Sequence, residues 1–314
     1  MSKRNRNVSL SRRRLLQQAL ALALSLNLPR AGWAGDKPQK ILRKIPATGE
    51  TLPAIGMGTW LTFGIDLDDE SALRTRSAIL ETFFELGGSV IDSSPMYGSA
   101  EEVVGNCLAR LDSTPDLFAA TKVWTSGWRA GVRQMERSRL LWNVERFDLM
   151  QVHNLLDWKT HLATLKEWKA AGRIRYLGVT TSHGRRHSEL ARIMETEPLD
   201  FVQLTYNLLD REAEQRLLPL AKERGIAVLA NRPFQGGGLF RRFASQPLPK
   251  WAEAIDCENW AQFFLKFIIS HPAVTCAIPA TSKVAHMREN MGAGYGRLPD
   301  AKLRRRMSEY IRGL

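Results

Sequence analysis

The stretch Ser89-Val-Ile-Asp92-Ser-Ser-Pro-Met-Tyr97-Gly98 begins with an apolar run, reaches an acid at Asp92 and places a phenol five residues later at Tyr97. Two similar apolar runs follow, LFAATKVW (117–124) and DLMQVHN (148–154). Short apolar runs separated by helix-length segments are typical of buried parallel strands. If such strands form a barrel, polar side chains at their carboxyl ends meet at one mouth of it.

The same alternation of strand and helix continues along most of the chain. Eight strand-like runs are present: LPAIGMGTW (52–60), SVIDSS (89–94), LFAATKV (117–123), DLMQVHN (148–154), IRYLGVTT (174–181), FVQLTYN (201–207), AVLANRP (227–233) and TCAIPAT (275–281). Helical patterns lie between most of them, such as 157–172 and 211–225, and both end in glycine, the usual helix stop. The pattern predicts a single-domain α/β protein with a (β/α)8 TIM barrel. A doubly wound sheet is the alternative, but it usually carries a G-x-G-x-x-G turn, which this sequence lacks.

Residues 1–34 have the order of an export signal: a basic stretch, an apolar segment and a region of small residues. The segment SRRRLLQ (11–17) resembles the twin-arginine export signal of bacteria. The apolar part (15–28) is short and interrupted by glutamine and asparagine, so we expect no stable membrane span in the mature protein. We expect cleavage after Ala34, a barrel over 35–314, the twin-arginine machinery as partner and a periplasmic location. An uncleaved amphipathic anchor or a basic leader is the alternative.

The net charge of +13 overstates the basicity of the folded part, because residues 1–34 hold seven Lys or Arg and no Asp or Glu. The remainder carries 38 basic and 32 acidic side chains, a net charge of +6. Basic clusters such as 304–306 have no interleaved aromatic residues, so we expect a solvated surface and no nucleic acid partner. Cys107, Cys257 and Cys276 lack the spacing of a zinc or redox motif and are expected to be packing residues.

Four polar side chains fall at or just past the ends of predicted strands: Asp92, Tyr97, Lys122 and His153. Taken singly, each has a structural explanation, such as a turn cap, a core aromatic or a buried histidine. Together, at the mouth of one barrel, they form a plausible proton donor for a carbonyl oxygen. We therefore predict an enzyme with these four residues at its catalytic site.

These residues and several later segments resemble the aldo-keto reductase family. The similar segments are Asp92-Ser-Ser-Pro-Met-Tyr97-Gly-Ser-Ala-Glu101, ATK (120–122), QVH (151–153), GVTT (178–181), VQ (202–203), IPATSK (278–283) and EN (289–290). The first three resemble the family's catalytic segments, the next two its nicotinamide-holding strands, and the last two its adenosine-phosphate site. The resemblance runs in order over residues 45–292. It implies reduction of aldehydes or ketones to alcohols, or the reverse, with a nicotinamide cofactor, usually NADPH.

Within this resemblance, Tyr97 is the acid for reduction and, as phenolate, the base for oxidation. A free tyrosine, with a pKa of about 10, is a weak acid. We expect the Lys122 ammonium to lower the pKa of Tyr97, and Asp92 to keep Lys122 charged and in place. His153 is expected to orient the carbonyl and to share its proton.

The expected nicotinamide site follows from the same resemblance. Gln203 and Thr181 are expected to bind the carboxamide, with Thr180 beside them, although the family commonly has Ser-Asn where this chain has two threonines. The aromatic residue that usually stacks on the nicotinamide corresponds to Asn231, so that stacking is either lost or supplied elsewhere. Arg232 is expected to face the pyrophosphate or, alternatively, to form a surface salt bridge.

The loop after the seventh strand is expected to contribute Phe234 and Gly236 to the cofactor site. Its glycine run, 236–238, either serves as a hinge or lets the backbone approach a phosphate closely. Beyond the eighth strand, the expected adenosine-phosphate residues are Thr281, Lys283, His286, Glu289 and Asn290. His286 stands where many relatives have arginine, whose two-pronged fork histidine cannot copy. We therefore expect NADP(H), with NAD(H) possible.

The substrate side carries little information in the sequence. Trp60, Trp124 and Trp128 follow the first and third strands, and either wall an apolar pocket or belong to the core. The expected substrate is a small carbonyl compound or alcohol.

Two other functions fit parts of the sequence. The first is a cofactor-binding or sensing module, with a reductase-like barrel and little turnover. The second is a metal-dependent hydrolase, because His183 and His187 have a helical i, i+4 spacing. The two arginines between them would repel a metal and no acidic residue is adjacent, so we predict no metal site.

Overall fold

Eight parallel strands form the centre of the structure, a computed structural model that describes residues 38–114 and 116–314. The barrel strands are β3 (Met57–Gly58), β4 (Val90–Asp92), β5 (Phe118–Val123), β6 (Phe147–Val152), β7 (Ile174–Thr180), β8 (Phe201–Thr205), β9 (Ala227–Asn231) and β10 (Cys276–Ala277). Each pairs in parallel with its neighbour in sequence. Ala277 closes the ring: its carbonyl accepts from Gly56 N at 2.9 Å and its N–H donates to Ala54 O at 2.9 Å. The predicted (β/α)8 barrel is confirmed.

A short antiparallel hairpin precedes the barrel, with strands β1 (Leu42–Lys44) and β2 (Thr51–Pro53). Ile45 and Leu52 are buried in the same apolar cluster as residues at the starts of the barrel strands, such as Phe118. The hairpin therefore packs against the end of the barrel where the strands begin. The prediction of one strand over 52–60 was wrong, since this apolar run serves first the hairpin and then β3.

Helices alternate with the strands and cover the outside of the barrel. They are α1 (Glu70–Glu85), α2 (Ala100–Leu108), α3 (Trp128–Trp142), α4 (Trp158–Ala170), α5 (His187–Thr196), α6 (Leu217–Arg224), α7 (Gly238–Phe243), α8 (Trp260–Ile269), α9 (Val284–Gly292) and α10 (Ala301–Gly313). The last strand, β10, is followed by α9, so each barrel strand leads into helical structure. Outward-facing strand residues pack against these helices in a large apolar core, and inward-facing ones fill the barrel.

The two helices quoted as sequence patterns differ in how well they were predicted. α4 matches the expected 157–172 closely, and Gly172 has a φ of 72° just past its end. For 211–225 the expected start was wrong, because α6 begins at Leu217 after a separate 3-10 turn. Pro219 lies in the first turn of α6, where its missing N–H costs no helical hydrogen bond. Gly225, in the left-handed conformation, ends the helix as expected.

The remaining predictions about chain class concern the N-terminus and the cysteines. The predicted export signal and its cleavage point lie outside the described residues. Among the described residues, no helix has the length and apolar character needed to cross a bilayer. Cys107, Cys257 and Cys276 are all buried free thiols, consistent with packing residues.

Candidate active site

A cavity of about 270 Å³ opens at the carboxyl ends of the barrel strands. Its wall is formed by Gly58, Thr59, Trp60, Leu61, Thr62, Asp92, Met96, Tyr97, His153, Asn154, Thr180, Thr181, Ser182, His183, Gln203, Asn231, Arg232, Pro233, Phe234, Gly236, Gly237, Ile278 and Ala280. These residues come from the ends of β3, β4, β6, β7, β8, β9 and β10 or from the loops that follow them. The mouth predicted from the strand ends is therefore present.

A buried ion pair lies at the floor of this cavity. Lys122 Nζ, from β5, is 2.6 Å from Asp92 Oδ2, at the end of β4, and also donates to Ser93 O at 2.6 Å. Burial is the largest single effect and lowers the pKa of Lys122, but Asp92 and Tyr97 together outweigh it, and the net pKa lies above the usual value. Lys122 is completely buried, so it acts beneath the cavity wall rather than as part of it.

Tyr97 lies above this pair. The Lys122 Nζ is 5.1 Å from the centroid of the Tyr97 ring. Lys122 favours the phenolate as expected, but burial of the phenol is the larger effect and raises the pKa of Tyr97 above 10. The expected effect of Lys122 is therefore present, but the net pKa of Tyr97 is raised, and the phenol keeps its proton at neutral pH.

His153 faces Tyr97 across the cavity, with the two rings edge to face and their centroids 5.8 Å apart. Burial, together with the nearby Lys122 ammonium, lowers the pKa of His153 to about 3, so the imidazole is neutral. Its Nδ1 lies 2.8 Å from Ser94 Oγ. Ser94 Oγ accepts from the Met96 N–H at 3.2 Å, and its own hydroxyl proton is free to be donated to Nδ1. When Ser94 is the donor, Nε2 carries the ring proton.

Two amide side chains complete the surroundings of Asp92. Gln151 Nε2 and Gln203 Nε2 donate to Asp92 Oδ1 at 3.1 Å and 2.9 Å. Asp92 thus accepts from an ammonium through one oxygen and from two amides through the other. Asp92 is almost completely buried, and these bonds hold its side chain in place.

The residues predicted for the nicotinamide all reach the cavity wall. Thr181 Oγ is buried and has no hydrogen-bond partner in the described part of the chain. Thr180 Oγ already accepts from Asn154 N at 3.2 Å. Gln203 Oε1 accepts a long bond, 3.4 Å, from Asn231 Nδ2 and keeps a second lone pair. Thr181 and Gln203 therefore both have hydrogen-bonding capacity left for a carboxamide.

The loop after β9 supplies the remaining predicted cofactor residues of the cavity. The Arg232 guanidinium lies 5.6 Å from the centroid of the Trp60 ring rather than in a salt bridge with any described residue, and burial lowers its pKa. Phe234 lines the wall and packs on Phe240, with ring centroids 4.7 Å apart. Gly236 has a φ of 62° and open space where a side chain would be. This geometry fits both alternatives for residues 236–238, a hinge and a close approach of the backbone to a phosphate.

The predicted adenosine-phosphate residues lie outside the cavity wall, on and before α9. Thr281 is buried and its Oγ accepts from Lys283 N at 3.2 Å, which shapes the turn into the helix. Lys283 and His286 are exposed at the first turn of α9, whereas Asn290 is buried at its end and Glu289 is partly buried beside it. The helix N-terminus with two basic side chains suits a phosphate group.

The three tryptophans predicted for the substrate side are not equivalent. Trp60 lines the cavity. Trp124 lies outside the wall and is 42% exposed, although its ring centroid is 6.4 Å from that of His153. Trp128, which is 55% exposed at the start of α3, also lies outside the wall. The core interpretation was wrong for Trp124 and Trp128.

The histidine pair considered as a metal site does not have the expected helical spacing. His183 has a φ of 61° in a turn and lines the cavity, and only His187 belongs to α5. His187 Nδ1 is 3.3 Å from Glu212 Oε1, an acidic partner that comes from a different part of the sequence. In residues 38–114 and 116–314, no three His, Cys, Asp or Glu side chains are grouped as metal ligands.

Several site residues were missed in the sequence, chiefly Ser94, Gln151, Asn154 and His183. Two of them were detectable, because alternate residues of a strand share a face. Gln151 lies two residues before His153, and Ser94 lies two after Asp92.

Several known proteins are similar to this chain in sequence or in structure. Methylglyoxal reductase YeaE of Escherichia coli (strain K12) is 29% identical over 259 residues, which cover 81% of this chain and 89% of that protein. An NADH-specific methylglyoxal reductase of the same organism is 28% identical, with 68% of this chain and 74% of that protein covered. The structure of an aldo/keto reductase from Klebsiella pneumoniae in complex with NADP and acetate superimposes with a TM-score of 0.72, at 25% identity, over 87% of this chain and 95% of that one. The sequence model of the Aldo/keto reductase family matches residues 54–307, and the chain therefore belongs to the aldo-keto reductase family.

Proposed function

We propose that this protein is an NADP(H)-dependent oxidoreductase that reduces aldehydes or ketones to alcohols, or runs the reverse reaction, with Tyr97 as the general acid or base. The observation that carries the proposal is the buried Asp92–Lys122 pair, 2.6 Å between Nζ and Oδ2, directly beneath the Tyr97 ring. A cation held under a protonated phenol stabilises the phenolate that forms when the proton is given away.

The roles of the side chains follow from their protonation states. When bound, a reduced nicotinamide supplies a hydride to the carbonyl carbon, and the C=O π electrons move to oxygen. Tyr97 donates its proton to that oxygen, and Lys122 stabilises the resulting phenolate. Neutral His153 donates from Nε2 to the same oxygen and orients it, because Ser94 holds the other ring nitrogen. In the oxidation direction, the Tyr97 phenolate takes the proton back.

The cofactor assignment rests on the fit of the residues. Thr181 Oγ, buried without a partner among the described residues, can donate to a carboxamide oxygen, and Gln203 Oε1 can accept from its NH₂ group. Lys283 and His286 favour the additional phosphate of NADP(H), in line with the NADP bound to the Klebsiella pneumoniae relative. Since His286 replaces an arginine and one relative is NADH-specific, NAD(H) is the second candidate.

The substrate class follows from the size and lining of the cavity. Trp60, Met96 and Phe234 give it a largely apolar wall, with Tyr97 and His153 as the polar groups that face a carbonyl. Two of the relatives are named methylglyoxal reductases, so methylglyoxal is the first substrate to test.

The decisive experiment is the Tyr97→Phe variant, which removes only the phenolic oxygen. Turnover of methylglyoxal with NADPH should fall by roughly 10²- to 10⁴-fold, the usual range for loss of a general acid. Cofactor affinity, measured by quenching of tryptophan fluorescence, should stay the same. Equal turnover in both proteins would refute the role of Tyr97. Tight NADPH binding without turnover of any carbonyl by the native protein would favour a sensing module instead.

We also propose, from residues 1–34, that the protein is exported by the twin-arginine route and works in the periplasm. Replacing Arg12 and Arg13 by lysine should leave the protein in the cytoplasm, as judged by cell fractionation. This route transports folded proteins, so a bound cofactor can be exported with the chain. Protein purified from the periplasm should then hold about one nicotinamide per chain. Export of the double-lysine variant, or empty protein with weak cofactor affinity, would contradict this proposal.

A further inference from the structure

Asn231, at the end of β9, uses its side-chain amide to bind β8 and the residue that follows β7. Its Nδ2 donates to Thr181 O at 2.9 Å and to Gln203 Oε1 at 3.4 Å. Its Oδ1 accepts from Thr205 Oγ at 2.8 Å. The orientation of the amide is fixed, because exchanging its oxygen and nitrogen would set Oδ1 against two other acceptors.

Gln203 transmits this constraint to the ion pair. Its Nε2 donates to Asp92 Oδ1 at 2.9 Å and makes a longer bond, 3.3 Å, to Gln151 Oε1. Rotation of the Gln203 amide by a half-turn would place its oxygen against the Asp92 carboxylate, which is also an acceptor. Its NH₂ group would then face the NH₂ group of Asn231, which is also a donor. Asn231 therefore disfavours that half-turn. Asp92 Oδ2 is in turn bonded to Lys122.

We propose that Asn231 is a positioning residue for the reaction, which acts through Gln203 on the Asp92–Lys122 pair and hence on the proton of Tyr97. The proposal rests on the function proposed above. It gives the side chain a task different from stacking on a nicotinamide, since both ends of the amide are already bonded to protein.

The test is Asn231→Asp, which preserves shape and the acceptor for Thr205 but replaces the donor by an acceptor. The new oxygen would face Thr181 O and Gln203 Oε1, so Gln203 must turn or move away from Asp92. The rate of hydride transfer in a single turnover, at saturating NADPH with methylglyoxal, should fall by roughly 10- to 100-fold, as expected when reacting groups are misplaced. Because NADPH is saturating, a change in its dissociation constant, to which Gln203 also contributes, does not enter this rate.

The matched control is Asn106→Asp, the same substitution on α2 and away from the cavity wall. Asn106 is exposed, and its Oδ1 accepts from Arg110 Nε at 2.8 Å, a bond that a carboxylate keeps. The control should transfer hydride at close to the native rate. Thermal unfolding of both variants establishes that each is folded at the assay temperature.

A second readout distinguishes positioning from general damage. When protonated, the introduced carboxyl regains a donor, so the rate of Asn231→Asp relative to the native protein should rise as the pH is lowered. The titratable and charged groups around this position are Arg232 directly after β9, His183 beyond β7, and Asp92 beyond Gln203. Because the native protein is measured at each pH, their titration cancels from the ratio.

The outcomes separate clearly. Equal rates in Asn231→Asp and Asn106→Asp, or a loss confined to NADPH affinity, would overturn the positioning role. A ratio of the Asn231→Asp rate to the native rate that is the same at every pH would also overturn it. If the native protein itself reduces no carbonyl while it binds NADPH, the proposed function fails and this inference falls with it.

Discussion

At the scale of single residues, the buried neutral His153 has a consequence for stability. In an unfolded chain its pKa is near 6.5, whereas burial and Lys122 lower it to about 3 in the folded protein. Between these values the unfolded chain binds more protons than the folded one. The free energy of unfolding should therefore fall with falling pH, by up to about 1.4 kcal/mol per pH unit from this residue.

The corresponding variant is His153→Gln, studied by urea unfolding between about pH 6 and about pH 4, where the slope is set by proton uptake. Its stability should depend less steeply on pH than that of the native protein. A slope for His153→Gln as steep as that of the native protein would contradict the low pKa.

The predictability of the site also differs from residue to residue. Asp92, Tyr97, Lys122 and His153 were found because strand ends and residue types suffice to place them together. The net direction of the Tyr97 pKa shift was not predicted, because it depends on how deeply the phenol is buried in the folded protein. The bonds of Asn231 were hidden as well, since they join three strands whose ends meet only in the closed barrel.

At the scale of elements, α2 and α3 approach each other closely at Gly105. A Cβ at this position would lie 1.8 Å from Leu141 O, which is backbone and cannot move aside. Gly105→Ala should therefore separate the two helices and destabilise the protein by about 3 kcal/mol or more, at the upper end of the usual overpacking cost.

The measurement is the midpoint of thermal unfolding by circular dichroism. Gly313→Ala, near the end of α10, is the control, because a Cβ there meets nothing within 4 Å. It should leave the midpoint almost unchanged. An equally small effect at Gly105 would mean that the two helices can shift apart without cost.

Element boundaries show where sequence patterns stop being informative. The number and order of the barrel strands followed from the apolar runs. The division of residues 52–60 between the hairpin and the barrel did not follow from the sequence, because both halves are apolar and buried. The start of α6 was also missed, although Pro219 is a local signal that limits where a helix can begin.

At the scale of the whole molecule, Lys266 joins three segments of the chain. It is fully buried in α8, and its Nζ donates to Ile255 O at 2.7 Å, Tyr295 O at 2.7 Å and Arg297 O at 3.0 Å. These carbonyls lie before α8 and between α9 and α10. Lys266→Met would leave the three acceptors without this donor, at about 1 to 3 kcal/mol for each buried group left unsatisfied.

We therefore expect Lys266→Met to lower the free energy of unfolding by about 3 kcal/mol or more. Urea unfolding at neutral pH measures it. The dissociation constant of NADPH serves as the internal control, because none of the three carbonyls belongs to a residue of the cavity wall. A variant as stable as the native protein would show that water or a rearranged backbone replaces the ammonium.

The three buried thiols give the folded protein a chemical property that its sequence alone would not suggest. Burial raises the pKa of Cys107, raises that of Cys257 to about 12, and raises that of Cys276 further. Because the thiolate is the form that attacks disulfides and alkylating agents, the native chain should be almost inert to both. In an oxidising compartment, it would then escape mixed disulfides for as long as it stays folded. The rate of thiol alkylation therefore measures how often the barrel unfolds far enough to expose these thiols.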